Sequence, residues 1–156
     1  MLIDQDLAAF MESPVMIILG SCDDRLQPQI GRAAGAIVDA QEARVDLMVC
    51  AQEWPMTVAN LRQNGRLSAT FARPADYVSY QAKGRASVIA ASDAHRTRAK
   101  FYIETMTSTL VALGLDSSVA APWFADRELL VLSLLVEAVF VQTPGEKAGQ
   151  MLARQR

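Results

Sequence analysis

The chain has 156 residues, of which 51% are hydrophobic and 21% charged, a composition typical of one folded domain with a sizeable core. Its formal net charge of −2 argues against a general nucleic-acid-binding protein, because such proteins need a basic surface to neutralise phosphates. The most apolar run, residues 129–141, is shorter than the roughly 20 residues of a membrane span and contains Glu137, so no membrane segment is expected.

The first third of the chain predicts a short helix followed by three strands. Leu7, Phe10 and Met11 share one face of a helix over residues 4–12, and a proline soon after ends it. Apolar runs and alternating patterns, separated by turn residues, then predict strands over residues 15–21, 28–39 and 44–51. Two glycines inside the second strand indicate a bulge or a close approach of backbone or ligand.

The rest of the chain contains two more predicted helices. Residues 55–64 form the first, because Pro55 suits an opening turn and a glycine follows the last residue. The longest helix begins at Ser92 or Asp93 and ends at Gly114. Three further strands are predicted over residues 66–72, 77–90 and 129–142, and a turn-rich tail follows them.

The segment "YVSYQAKGRASV", residues 77–88, alternates between polar and apolar side chains. Its polar set is Tyr77, Ser79, Gln81, Lys83, Arg85 and Ser87. A period of two indicates a strand with one buried and one polar face. The polar face either meets water or lines a binding cleft.

Strands joined by short connections are antiparallel neighbours, and a small antiparallel sheet avoids exposed edges by closing into a barrel. We therefore expect an α+β, mainly β, fold: a barrel-like antiparallel sheet of five or six strands with flanking helices, forming a single domain over residues 1–156. Cys22 and Cys50 are far apart and belong to no CxxC pair, so reduced thiols in a cytoplasmic protein are expected. The N-terminus has no basic flank before an apolar segment and does not resemble a secretory signal.

Four segments together resemble the pyridoxamine 5'-phosphate oxidase-like family of FMN-binding split barrels. They are "PQIGRAAGAIV" (28–38), "VDLMVCAQEWPMTVANLRQNGRLSATF" (45–71), "SYQAKGRA" (79–86) and "FVQTPGEKAG" (140–149). Their order and spacing carry the resemblance over roughly residues 10 to 145. It implies a six-stranded split barrel that forms a homodimer, with two FMN molecules in clefts between the subunits.

The resemblance assigns Arg32 to the phosphate or ribityl chain of the flavin. The alternative is an arginine at a strand edge that pairs with a nearby carboxylate. Ala33, Ala34 and Gly35 either place their backbone under the flavin ring, where small side chains permit close approach, or simply pack the barrel.

The helix over residues 55–64 begins at the flavin phosphate in this family, since the first amides of a helix favour an anion. Thr57 and Asn60 are therefore candidate flavin contacts, the alternatives being a helix cap and a surface amide. Trp54 either covers the ring or packs under the loop. Many family members carry a basic pair where this chain has Met56 and Thr57.

Gln81, Lys83 and Ser79 complete the expected flavin contacts. Gln81 can both donate to and accept from the pyrimidine edge, and Lys83 can stabilise the negative charge of a reduced flavin. The alternative for all three is a polar strand face in the dimer cleft or in solvent. His95 is the only histidine and cannot form a metal site unaided, so no metal is expected.

The favoured hypothesis is an FMN-dependent oxidoreductase acting on an unidentified small molecule, because the flavin supplies the redox chemistry and no acid, base or nucleophile set is required. No catalytic residue is assigned. A haem-binding split barrel, which would need an axial ligand, and a dimer that binds flavin or another small molecule without turnover are the alternatives. The electron donor or acceptor and the choice between FMN and a deazaflavin stay open.

Overall fold

The computed structural model describes residues 1–155 as an antiparallel β-sheet with flanking helices. The helices are α1 (Gln5–Glu12), α2 (Pro55–Asn64), α3 (Asp93–Ala112) and α4 (Ser117–Ala120), and a 3-10 turn (Ala121–Trp123) follows α4. The strands are β1 (Met16–Cys22), β2 (Pro28–Arg32), β3 (Ala36–Asp39), β4 (Arg44–Cys50), β5 (Arg66–Ala72), β6 (Ser79–Ala90), β7 (Leu129–Val141) and β8 (Met151–Arg154). No helix in this part of the chain is long and apolar enough to cross a membrane.

The strands are ordered β2-β1-β5-β6-β7-β4-β3, and β8 pairs with β7. β7 pairs with β6 along one edge, and two different strands pair with its other edge. Residues 129–135 of that edge pair with β4, whereas residues 138–140 pair with β8. The change of partner on the second edge of β7 is where the sheet divides.

A three-residue corner, Ala33 to Gly35, joins the two ends of the sheet. The Ala33 amide donates to the Ile17 carbonyl in β1 at 3.1 Å, and the Ala34 amide donates to the Met48 carbonyl in β4 at 2.7 Å. Gly35 has a φ of 114°, and a β-carbon there would lie 3.0 Å from the Met48 Cε. The corner therefore requires a residue without a side chain.

The main core lies inside this closed sheet and takes side chains from alternate strand positions. Its largest fully buried members include Ile17, Leu19, Leu47, Phe71, Leu132 and Leu134. The helices add Leu7 and Met11 from α1, Leu61 from α2, and Tyr102 and Met106 from α3. A second, smaller cluster joins α3 to β4 and β7 through Ala99, Met48 and Val131.

The predicted fold class is confirmed, and the three predicted helices match α1, α2 and α3 to within two residues at each end. The sheet has eight strands where six were predicted. The corner divides the segment 28–39 into β2 and β3, and the turn-rich tail contains β8. Both differences arise from pairing with distant strands, which local patterns do not report.

Gly84 lies at a β-bulge between β6 and β7. Lys83 faces Ala138, whereas Gly84 faces Val136, so Glu137 is the extra residue of β7. A β-carbon on Gly84 would overlap the carbonyl oxygen of Leu135. Because this oxygen belongs to the backbone, it cannot rotate away as a side chain would.

We predict that Gly84→Ala lowers the free energy of unfolding by about 3 kcal/mol or more, since overpacking against a fixed backbone strains the sheet. Urea denaturation measures this loss. Gly20→Ala is the matched control, because its β-carbon would meet only the Ser68 hydroxyl, which can rotate. Equal losses for the two variants would contradict a specific requirement for glycine at the bulge.

Candidate functional site

One face of the sheet carries a continuous row of side chains across five strands. Directly opposite residues of antiparallel strands point to the same side of a sheet. The register places in one row Arg32, Ile18, Thr70, Gln81 and Phe140. The neighbouring row contains Ile30, Gly20, Ser68, Lys83 and Ala138. We call these two rows the outer face. The alternate positions of the same strands point to the opposite side of the sheet and belong to the main core.

Gln81 is half-buried near the middle of the outer face, and its amide is oriented by the protein. Its Nε2 donates to the Thr70 Oγ1 at 2.9 Å, and its Oε1 accepts from the Gln142 Nε2 at 3.5 Å. One amide hydrogen and one lone pair of Gln81 remain available. Gln81 can therefore still donate to and accept from the polar edge of a planar ligand.

Lys83 lies in the neighbouring row and is exposed. Its Nζ is 4.7 Å from the centre of the Phe140 ring, a cation–π contact. Lys83 forms no ion pair with any residue in the range 1–155. It therefore places an uncompensated positive charge beside Gln81.

Arg32 ends β2 at the far side of the row. Its guanidinium lies over the Trp123 ring, 4.5 Å from the ring centre, and its Nη1 is buried without a hydrogen-bond partner. Burial lowers the pKa of Arg32 from its ordinary value, and the nearby Tyr102 acts in the opposite direction. No carboxylate of the described residues pairs with Arg32. A buried donor without an acceptor is costly, so it points to a ligand that supplies one.

Thr57 and Asn60 lie on the opposite side of β1 and β2, and each is only 2% exposed. The Asn60 Nδ2 donates to the Ser21 Oγ at 3.1 Å. Thr57 packs against Gly31 so closely that a β-carbon on Gly31 would be 2.6 Å from the Thr57 Oγ1. Both side chains therefore join α2 to the sheet and do not reach the outer face.

The other predicted contacts have local structural partners. Trp54 is half-buried before α2 and packs against the main core. Ser79 is 6% exposed, and its amide donates to the Thr143 Oγ1 at 3.0 Å. Ala33 and Ala34 belong to the barrel corner, and their side chains are buried. The structure thus brings Arg32, Gln81 and Lys83 to one face, with Ser79 buried in the adjoining row of β6, and places the remaining candidates elsewhere.

Comparisons with known structures support a fold, whereas the sequence comparisons found no match. No family model matches the chain, and no curated protein sequence matches it significantly. Among solved structures, HupZ from Group A Streptococcus superposes with a TM-score of 0.57 at 16% identity, over 94% of this chain and 99% of that one. A "putative pyridoxamine 5'-phosphate oxidase" from Lactobacillus delbrueckii superposes with a TM-score of 0.55 at 14% identity, over 88% and 92%. HutZ from Vibrio cholerae, described as a heme storage protein, gives a TM-score of 0.53 at 14% identity, over 90% and 95%.

The chain has the fold of the pyridoxamine 5'-phosphate oxidase-like split barrels. This confirms the split-barrel fold that the resemblance implies. At these identities the likeness establishes the architecture, so the ligand must be argued from the side chains of this split barrel.

The single histidine of the split barrel is held by the protein itself. The His95 Nε2 is 3.3 Å from the Asp46 Oδ2, and Asp46 also accepts from the Ser133 Oγ at 2.6 Å. The other ring nitrogen, Nδ1, accepts from the Ser92 amide at 3.1 Å. His95 therefore anchors the start of α3 to β4 and β7.

Sequence reasoning missed two neighbours of the outer-face candidates, Thr70 and Phe140, and did not connect Trp123 with Arg32. Thr70 and Phe140 are the register partners of Gln81, and only the pairing of β5, β6 and β7 reveals them. Trp123 reaches Arg32 from the segment after α4. No signal in the sequence connects these distant positions.

We predict that Thr57→Lys does not recreate a basic phosphate contact but lowers the free energy of unfolding by about 3 kcal/mol, because the ammonium would be buried without a partner. Met56→Lys is the matched control, since Met56 is 53% exposed. It should change the stability by no more than about 0.5 kcal/mol. Urea denaturation of both variants measures this difference, and a Thr57→Lys variant as stable as the parent would show that position 57 can turn outward.

Proposed function

We propose that this split barrel binds FMN on its outer face and acts as a flavin-dependent oxidoreductase on a small molecule, with the flavin held between two subunits. The observation that carries the proposal is the buried, unpartnered Nη1 of Arg32, in the same row as Gln81. At one end, the row thus offers a cationic hydrogen-bond donor for an anion, and further along it offers a polar amide.

The chemistry of the row fits the parts of a flavin. Arg32 and Gln81 are three strand spacings apart, roughly 14 Å, which leaves room for an extended chain between a phosphate and a ring. Ile18 and Phe140 supply apolar surface in the same row. Lys83 adds a positive charge near Gln81, which would favour the reduced, negatively charged form of the ring.

The phosphate contact that we propose differs from the one expected at the start of α2. Thr57 faces the sheet, Met56 carries no charge, and Glu53 is exposed nearby. We therefore assign the phosphate to Arg32 and leave α2 out of the site. When bound, the flavin supplies the redox chemistry, and the protein positions it.

A second copy of the chain is the proposed cover of the outer face. Ile30 is 68% exposed and Met151 is 51% exposed, and both belong to the outer rows or to the strand beside them. Apolar side chains on an open sheet face favour association with another protein surface. A flavin lying on this face would then be enclosed between two subunits, which excludes water from the ring.

Haem binding is less well supported by the side chains. The chain has one histidine, and both of its ring nitrogens contact protein groups. To serve as an axial ligand, His95 would have to give up its contact with Asp46 or with Ser92.

The two cysteines are free thiols in residues 1–155, which agrees with the cytoplasmic location that we propose.

The flavin proposal predicts that FMN fluorescence is quenched when the protein is added. Arg32→Ala should bind FMN at least about tenfold more weakly, because it removes a charge-assisted hydrogen bond. Arg25→Ala is the control, since Arg25 is an exposed arginine away from the outer face. A variant at position 32 that binds FMN as tightly as the parent would refute the site. A Soret band on addition of haemin, with no quenching of FMN, would refute the flavin itself.

The dimer proposal predicts a mass of twice 17.0 kDa by light scattering. Ile30→Glu should produce monomers, because it places a charge in the proposed apolar contact. Met56→Glu, an equally drastic change on an exposed methionine of α2, should leave the dimer intact. A parent protein that is monomeric at all concentrations would contradict a cleft between subunits.

A further inference from the structure

A concave surface overlaps the second row of the outer face at Gly20, Ser68 and Lys83 and extends away from Arg32. It is a groove of about 560 Å³ between β1, β5, β6 and β7. The charged side chains that line it are Arg66, Lys83, Arg85 and Glu137. This volume lies within the range typical of small-molecule sites. We call it the basic groove.

The two arginines of the basic groove oppose each other directly. Arg66 in β5 faces Arg85 in β6, and Lys83 lies two residues further along the same strand. Like charges opposite each other on paired strands are destabilising. An arrangement of this kind costs stability unless an anion lies between the charges.

The protein supplies no such anion in the part of the chain that the structure describes. None of Arg66, Lys83 and Arg85 forms an ion pair there, although Glu137 lines the same groove. One guanidinium nitrogen of Arg85 donates to the Asn64 carbonyl at 2.8 Å, which fixes that side chain at the rim. The Arg66 side chain has no hydrogen-bond partner among residues 1–155.

Gly20 helps to make the groove concave. It lines the groove and has no side chain to fill the space beside Ser68, whereas a β-carbon on Gly84 would point at the Leu135 carbonyl in the backbone of β7. The bulge at Gly84 is also where Glu137 leaves the regular pairing. The groove therefore combines a floor of backbone with three cationic side chains, of which Arg85 is held by the Asn64 carbonyl.

We propose that the basic groove is a second ligand site, which binds a small molecule carrying a phosphate or diphosphate group. Three positive charges against one carboxylate match a multivalent anion, and the guanidinium fork matches phosphate oxygens in pairs. The overall net charge of −2 makes this a local site and not part of a nucleic-acid-binding surface. The site rests on Arg66 and Arg85, which lie outside both rows of the outer face, whereas Lys83 is shared with the flavin site that we propose.

The test uses thermal unfolding of the flavin-free protein with inorganic pyrophosphate, compared with sodium chloride at the same ionic strength. Pyrophosphate at a concentration far above its Kd should raise the Tm of the parent by roughly 5 °C. Arg66→Gln should abolish this rise while leaving the Tm without anion unchanged or higher, because it relieves the repulsion by Arg85. Arg25→Gln, which removes an arginine elsewhere, should keep the full rise.

Three results would overturn the basic groove as a phosphate site. They are no rise in the parent, an undiminished rise in Arg66→Gln, and a rise abolished by Arg32→Ala but not by Arg66→Gln. The last result would place the anion at the proposed flavin phosphate contact. Titration of Arg66→Gln with FMN keeps the two proposals separate, because this variant should quench flavin fluorescence as the parent does.

Discussion

The barrel depends on the backbone hydrogen bonds at the corner from Ala33 to Gly35. One of these bonds joins the corner to β1 and two join it to β4, so three residues connect the two ends of the sheet. Closure gives the alternate strand positions an enclosed volume to fill, and the main core occupies it. It also sets the position of Arg32, which immediately precedes the corner and is therefore partly buried at the edge of the outer face.

Burial of Arg32 has a cost that the rest of the fold does not compensate. Stacking on Trp123 shields one face of the guanidinium, but a planar ring cannot accept the in-plane hydrogen bond that Nη1 offers. The charges of Arg66 and Arg85 are also uncompensated, since the two residues face each other without an intervening carboxylate. Arg32 is partly buried at the edge of the outer face, and Arg66 and Arg85 line an open groove. A bound anion would compensate the positive charge at either of the two binding sites that we propose.

Local signals predicted the parts of the fold that local chemistry determines. Pro55 and the glycine after Asn64 mark both ends of α2, and alternation identified the polar face of β6. The rotation of α2 about its axis was not predictable, because the packing of Val58 and Leu61 decides that Thr57 faces the sheet. The corner and β8 were missed for a related reason: each is created by hydrogen bonds to a strand far away in the chain. Of the candidate site, Arg32 and Gln81 could be named from the sequence, but their common row required the register.

The stack of Arg32 on Trp123 gives the protein a natural optical probe. The chain contains two tryptophans, and the other one, Trp54, lies beside α2 against the main core. An indole ring responds to a nearby positive charge, so movement of the guanidinium changes the emission of Trp123 without altering that of Trp54. A protein with phenylalanine in place of Trp54 would therefore report on the end of the row near β2 by its intrinsic fluorescence alone, with no added dye or colour from the ligand.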